Sequence, residues 1–173
     1  MIVYGIDPGP STSHIVQLNI DIKTGRTNIA ARNEKNNKKE MRGFLVGLNY
    51  QRDSVVIEDM DSYYMPVGNE TFDTLRWIGR FIEMPYPFDI IRMTRRTVKL
   101  WICNSVRAKD KNISAAMIGR YGEKGTKKNP GQTYGFSNHY WPALAVATTF
   151  IERDLRQRMN VNINYNLENP SAA

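Results

Sequence analysis

The run "SVVIED" at 54–59 places the tightest constraint on the fold. Val55, Val56 and Ile57 are consecutive β-branched residues bounded by polar and charged ones, the pattern of a central strand buried on both faces. Such a strand needs neighbours in its own sheet and a layer on each side. The rest of the chain supplies both. "MIVYGID" has strand composition, "HIVQLNID" alternates as a second strand, and "NIAARN" is a third. Asp21 to Gly25 is a hairpin connection, so the chain begins as an antiparallel meander. Met41, Phe44, Leu45 and Leu48 recur at helical spacing before the buried strand. Phe72, Leu75, Trp77, Ile78, Phe81 and Ile82 mark an amphipathic helix after it, over residues 71–84. "PFDIIRMT" is a further strand, "TRRTVKLWICN" starts a helix, and "KNISAAMIGRYG" is a helix that Gly122 ends. "EKGTKKNPGQTYG" is an exposed loop, and "HYWPALAVATTFIERDLRQRM" is a long final helix. This order predicts an α/β fold, a mixed five-stranded sheet whose first three strands are antiparallel, with helices on both faces.

A chain of 173 residues is long enough for one domain with its own core. We place that domain at 1–158 and a polar, frayed tail at 159–173, with no internal repeat or linker. Hydrophobic residues at 41% and charged residues at 24% fit a globular protein in water. No apolar run approaches the roughly 18 residues of a membrane span. The opening segment is a strand bearing Asp7, so a signal peptide is not expected there. A single cysteine, Cys103, excludes an internal disulfide and a Cys-rich zinc site, which points to the cytoplasm. The net charge of +7 calls for an anionic partner, with nucleic acid the first candidate and a solvated basic surface the alternative. The charge is concentrated. Arg92, Arg95, Arg96, Lys99, Arg107, Lys109 and Lys111 fall within one short stretch, and Lys124, Lys127 and Lys128 follow in the exposed loop.

Three residues carry candidate chemistry. Pro8 and Gly9 end strand pairing, which leaves Asp7 at the last strand position, either bonded to the turn amides or holding a cation. Glu58 ends the buried run, and is either a solvated strand end or a carboxylate that requires a partner or a metal. His139 stands at the start of the final helix, where it can cap, face solvent or ligate. All three lie at element ends, where α/β sheets place ligands. Asp, Glu and His together suit Mg²⁺ or Mn²⁺, with the imidazole extending tolerance toward Mn²⁺. Two such ions can activate water and stabilise a leaving 3′ oxygen in phosphodiester cleavage, while a basic surface holds the neighbouring phosphates.

The element order matches the ribonuclease H-like fold. Within it "GIDPG", "VVIE" and "ALAVA" resemble, in order and spacing, three landmarks of the RuvC Holliday junction resolvases. The stretch "GTKKNPGQTYG", followed by an aromatic and "ALAVAT", resembles a phage-borne branch of that family. The resemblance covers roughly residues 1–152. It implies a metal-dependent endonuclease that resolves branched DNA by two-metal hydrolysis, acting as a homodimer in the host cytoplasm. Asp7 and Glu58 match the family's first Asp and its strand Glu. The last helix of the family supplies two acids three residues apart. Here His139 stands at the first position, as it does in some members, and Pro142 stands at the second. Asp59 and Asp61 are candidates to replace the missing acid. Lys99 in "TVK" matches a lysine that holds the scissile phosphate, and Lys109 and Lys111 flank the place of a second, occupied here by Asp110. Tyr63 and Tyr64 follow the position of a junction-inserting aromatic, where they can stack on bases or pack in the core. The helix at 71–84, with Trp77 and Phe81, is either the dimer face or core. Flaps or RNA–DNA hybrids are alternative substrates, a branched-DNA-binding module without catalysis is the alternative that Pro142 opens, and an actin-like ATPase would need a second glycine-rich turn.

Overall fold

A computed structural model describes residues 1–61, 66–85, 88–159 and 164–165. Strands β1 (Ile2–Asp7), β2 (Thr12–Ile20) and β3 (Arg26–Asn36) form the antiparallel meander. Helix α1 (Met41–Val46), strand β4 (Ser54–Asp59), helix α2 (Asn69–Glu83) and strand β5 (Ile91–Thr94) follow. Both β4 and β5 join in parallel, so β4 lies inside the sheet between β1 and β5. The five expected strands are all present. A sixth strand of two residues, β6 (Asn164–Tyr165), pairs with the start of β3 and gives the order β5-β4-β1-β2-β3-β6. β3 runs further than its apolar pattern suggests. Its polar second half, through Asn36, is held by pairing with β2 and faces solvent at the sheet margin.

Two cores flank the sheet. Tyr4, Ile6, Val55 and Ile57 point to one side, against Met41 and Leu45 of α1 and Ile78 and Phe81 of α2. Phe81 is fully buried there, so it packs on the sheet. On the other side Val3, Val16, Val56 and Met93 meet helices α3 (Arg95–Cys103), α4 (Asp110–Tyr121) and α5 (Tyr140–Thr149). Each fully buried aliphatic side chain contributes about 1.5–3 kcal/mol relative to exposure. Helix α3 starts directly after β5 because the Thr94 hydroxyl accepts a bond from the Thr97 amide. Pro142 sits in the first turn of α5, where an amide has no intrahelical partner to lose. The final helix is not uniform. After α5 it widens into a π-helical turn at Phe150–Leu155 before α6 (Arg156–Met159). Just ahead of that turn, Thr148 and Thr149 donate their hydroxyls back to the carbonyls of Leu144 and Ala145, at 2.8 Å each. Such back-bonding bends helices.

Gly5 sets how close α5 lies to the sheet. A Cβ at Gly5 would collide with the Ala143 carbonyl and stand 2.8 Å from the Ala147 methyl. The small residues of "ALAVA" and the glycine before "IDPG" are therefore two sides of one contact. It brings the start of α5 over the end of β1. Tyr121 of α4, fully buried, shares a hydrogen bond of 2.9 Å with Thr148 and fastens α4 to α5.

Candidate functional site

Strand register aligns the first part of the site. Asp7 on β1 is opposite His14 on β2, and His14 is opposite Glu34 on β3. Asp7 follows Val3 and Gly5 on the α5 face by the two-residue alternation of a strand. The start of α5 completes the arrangement. His139 precedes the first helical residue, and its Nδ1 lies 3.6 Å from Asp7 Oδ2. Its ring stacks on His14 at 4.7 Å between centroids and 19° between planes, and Tyr140 meets His14 edge-on at 5.2 Å.

Glu58 enters from the neighbouring strand. It lies two residues past Val56, hence on the same face, and is buried. The Asp7 and Glu58 carboxyl groups are close neighbours whose like charges repel, which favours a proton on Asp7. Burial, reinforced by the Glu58 charge, pushes Asp7 up to about 8. Burial raises Glu58 as well, against the pull of Arg95. Arg95, the first residue of α3, donates from Nη1 to both Glu58 oxygens at 3.2 and 3.1 Å. Its Nη2 donates to Asp110 Oδ1 at 2.6 Å. Burial and the nearby His139 lower the His14 pKa, with Glu34 opposing. A cleft of about 800 Å³ opens over Asp7, His14, His139, Arg95 and Asp110.

This donor set fits a divalent cation. Arg95 offsets the Glu58 charge, while the buried Asp7 carboxylate beside it is favoured by added positive charge, which a metal ion can supply. Asp7, Glu58 and His139 could hold it, one from each of two strands and one from a helix start. Asp7 thus has Glu58 on one side and His139 on the other, and among the described residues the ligand atoms that lie within 4.8 Å of one another belong to Asp7, His14 and His139. Lys99, one helical turn past Arg95, lines the same narrow recess as Glu58, Arg95 and Asp110. Arg95 is engaged by the two carboxylates. Arg92 is exposed and lies 3.7 Å from Asp59, which accounts for that acid. Asp59 and Asp61 do not line the cleft. Arg96, Lys109, Lys111, Lys127 and Lys128 are exposed. Tyr63 and Tyr64 lie outside the described residues. Sequence reasoning missed His14, Glu34 and the pairing of Arg95 with Asp110. The signal for His14 was its place across the Pro8–Gly9 turn from Asp7, which only the strand register turns into a contact.

No family model and no curated protein matches the chain. Solved structures do. The Thermus thermophilus RuvC structure superposes with a TM-score of 0.67 at 17% identity, covering 93% of this chain and 98% of that one. T. thermophilus RuvC in complex with its Holliday junction substrate gives 0.66 at 15% identity, covering 92% and 97%.

The chain has the fold of RuvC.

At this identity the RuvC likeness speaks for the fold, while the site rests on the residues themselves. In the RuvC frame the mixed sheet and the helix crossing Gly5 are what bring Glu58 and His139 to Asp7. The departure at Pro142 lies in the same frame. Pro142 stands in the first turn of α5, and Asp110 lines the same cleft from the first turn of α4.

Proposed function

We propose that this protein is a metal-dependent endonuclease that cleaves branched DNA, with the Holliday junction as its substrate. The observation that carries the reading is that Asp7, in the cleft of a RuvC fold, meets both Glu58 and His139. Asp7, Glu58 and His139 hold the ions. Bound divalent ions supply the charge that makes water nucleophilic and stabilises the leaving 3′ oxygen. The protein's own groups do the rest. Arg95 holds the Glu58 carboxylate from one nitrogen, Nη1, which donates to both of its oxygens, and offsets its charge. Lys99, at the edge of the recess, holds the phosphate next to the scissile one. Arg92, Arg96, Lys109, Lys111, Lys127 and Lys128 hold phosphates further out, which positions the DNA without reading its sequence. Tyr63 and Tyr64 stack on unpaired bases at the branch point. Two symmetric cuts in a four-way junction call for a homodimer.

The test incubates the protein with synthetic four-way, flap, hybrid and duplex substrates in Mg²⁺, Mn²⁺ or EDTA. Cleavage of the four-way junction by paired cuts, abolished by EDTA, is expected. Asp7→Asn should lose cleavage while binding the junction about as tightly as the parent, because the phosphate contacts remain. Full cleavage by Asp7→Asn would remove the assignment.

A further inference from the structure

The row Asp7, His14 and Glu34 runs straight across β1, β2 and β3, and His139 closes over it from the start of α5. One ligand atom from each of Asp7, His14 and His139 lies within 4.8 Å of the other two. We infer that His14 is a metal ligand, so that Asp7, His14 and His139 form a site of two imidazoles and one carboxylate that takes Mn²⁺ or a later first-row ion in preference to Mg²⁺. The inference rests on the reading of Asp7 and His139 as ligands, and it adds to that reading both a residue and a choice of metal.

Three observations support it. The first is the spacing, since three donor atoms within 4.8 Å of one another can converge on one ion with small side-chain adjustments. The second is the near-parallel stack of the two rings, 19° between planes, which places their edges side by side. The third is Glu34. Its Oε2 lies 3.7 Å from His14 Nε2, on the strand next to His14 and on the side away from Asp7. A carboxylate on that side of the ring is placed to accept the Nε2 proton after a small side-chain adjustment, which would leave Nδ1 as the coordinating atom. The choice of metal follows from the donors. Imidazole favours transition ions, whereas Mg²⁺ prefers an all-oxygen shell and keeps its waters.

The experiment measures metal binding by the DNA-free protein, apart from cleavage. Mn²⁺ and Mg²⁺ affinities are taken by calorimetry, and bound Mn²⁺ is examined by pulsed EPR for coupling to imidazole nitrogen. The parent should show two coupled nitrogens and His14→Gln one, with Mn²⁺ bound at least about tenfold more weakly and Mg²⁺ changed by less than about threefold. Glu34→Gln, an exposed change that spares folding, should keep both nitrogens and weaken Mn²⁺ about tenfold. Circular dichroism confirms that each variant is folded. Unchanged Mn²⁺ affinity and nitrogen coupling in a folded His14→Gln protein would overturn the inference, as would a parent with one nitrogen that only His139→Gln removes. That last pattern leaves the nuclease reading intact. Failure of junction cleavage in a protein whose two nitrogens are seen would instead sink the nuclease reading and leave His14 in place.

Discussion

Asp7 concentrates the chemistry of this molecule. Its carboxyl lies beside that of Glu58 and is pushed up to about 8, mainly by burial and then by the Glu58 charge. In the unfolded chain the same group titrates near 3.8. A carboxyl with a raised folded pKa binds its proton more tightly when folded. Its contribution to stability is complete below the unfolded value and is lost as pH rises through the folded one. The metal-free protein should therefore lose stability from about pH 4 to about pH 8, by about 1.4 kcal/mol for each pKa unit of separation that is realised. Asp7→Asn should flatten that dependence, because an amide has no charge to bury beside Glu58. Denaturant melts in EDTA across this range measure it, and parallel curves for parent and variant would refute it. A divalent ion replaces the Asp7 proton, so stabilisation by added Mn²⁺ should grow with pH over the same interval.

At the scale of elements, the contact between Gly5 and α5 decides whether the site assembles. Gly5→Ala places a methyl against the Ala143 carbonyl, which belongs to helix backbone and cannot rotate away. Either α5 lifts or β1 twists. Overpacking of this kind costs about 1–3 kcal/mol, and here it also carries His139 away from Asp7. The expected result is a lower melting temperature together with weaker Mn²⁺ binding, measured on the same sample. A variant with weakened stability and unchanged metal affinity would separate the contact from the site. Much of this level was legible in the sequence. The apolar β-branched run of β4 and the helical spacing in α2 are local patterns, and they marked the elements correctly. Asp7 and Glu58 stood out because Asp7 ends β1 and Glu58 follows the buried run of β4, and His139 because it immediately precedes α5. What was not legible depended on distance between segments. His14 gains its place only through the β1–β2 register. Arg95 reads as one more basic residue until α3 is seen to start where β5 ends, beside Glu58 and Asp110. The π-helical turn has no periodic signature of its own, and the polar half of β3 looks like loop until β2 pairs with it.

Across the whole molecule, exposed basic residues stand both on helices and on loops. The loop before α5 is one of these. Gly125 bridges Pro130, the Gln132 side chain accepts from the Ile29 amide at 2.9 Å, and Thr133 and Phe136 are buried. Arg32 lies over the Phe136 and Tyr140 rings, and Lys124 lies over Trp141. These ties hold the base of the loop, so Lys127 and Lys128 stand exposed at its tip, a short way ahead of His139. A preordered tip loses less entropy on binding than a slack one. Lysines there should release counterions from DNA phosphates while reading no base sequence. The affinity for a four-way junction should thus fall steeply with salt. Replacing Lys127 and Lys128 by glutamine should flatten the log–log slope by about one for each phosphate that is no longer neutralised, and weaken binding by the same factor on junctions of different sequence. Fluorescence anisotropy in EDTA over a salt series reads both quantities without cleavage. An unchanged slope would place the loop off the DNA and leave the phosphates to Arg92, Arg96, Lys99, Lys109 and Lys111. Weakening confined to one junction sequence would mean that the loop reads bases, contrary to the role argued for it.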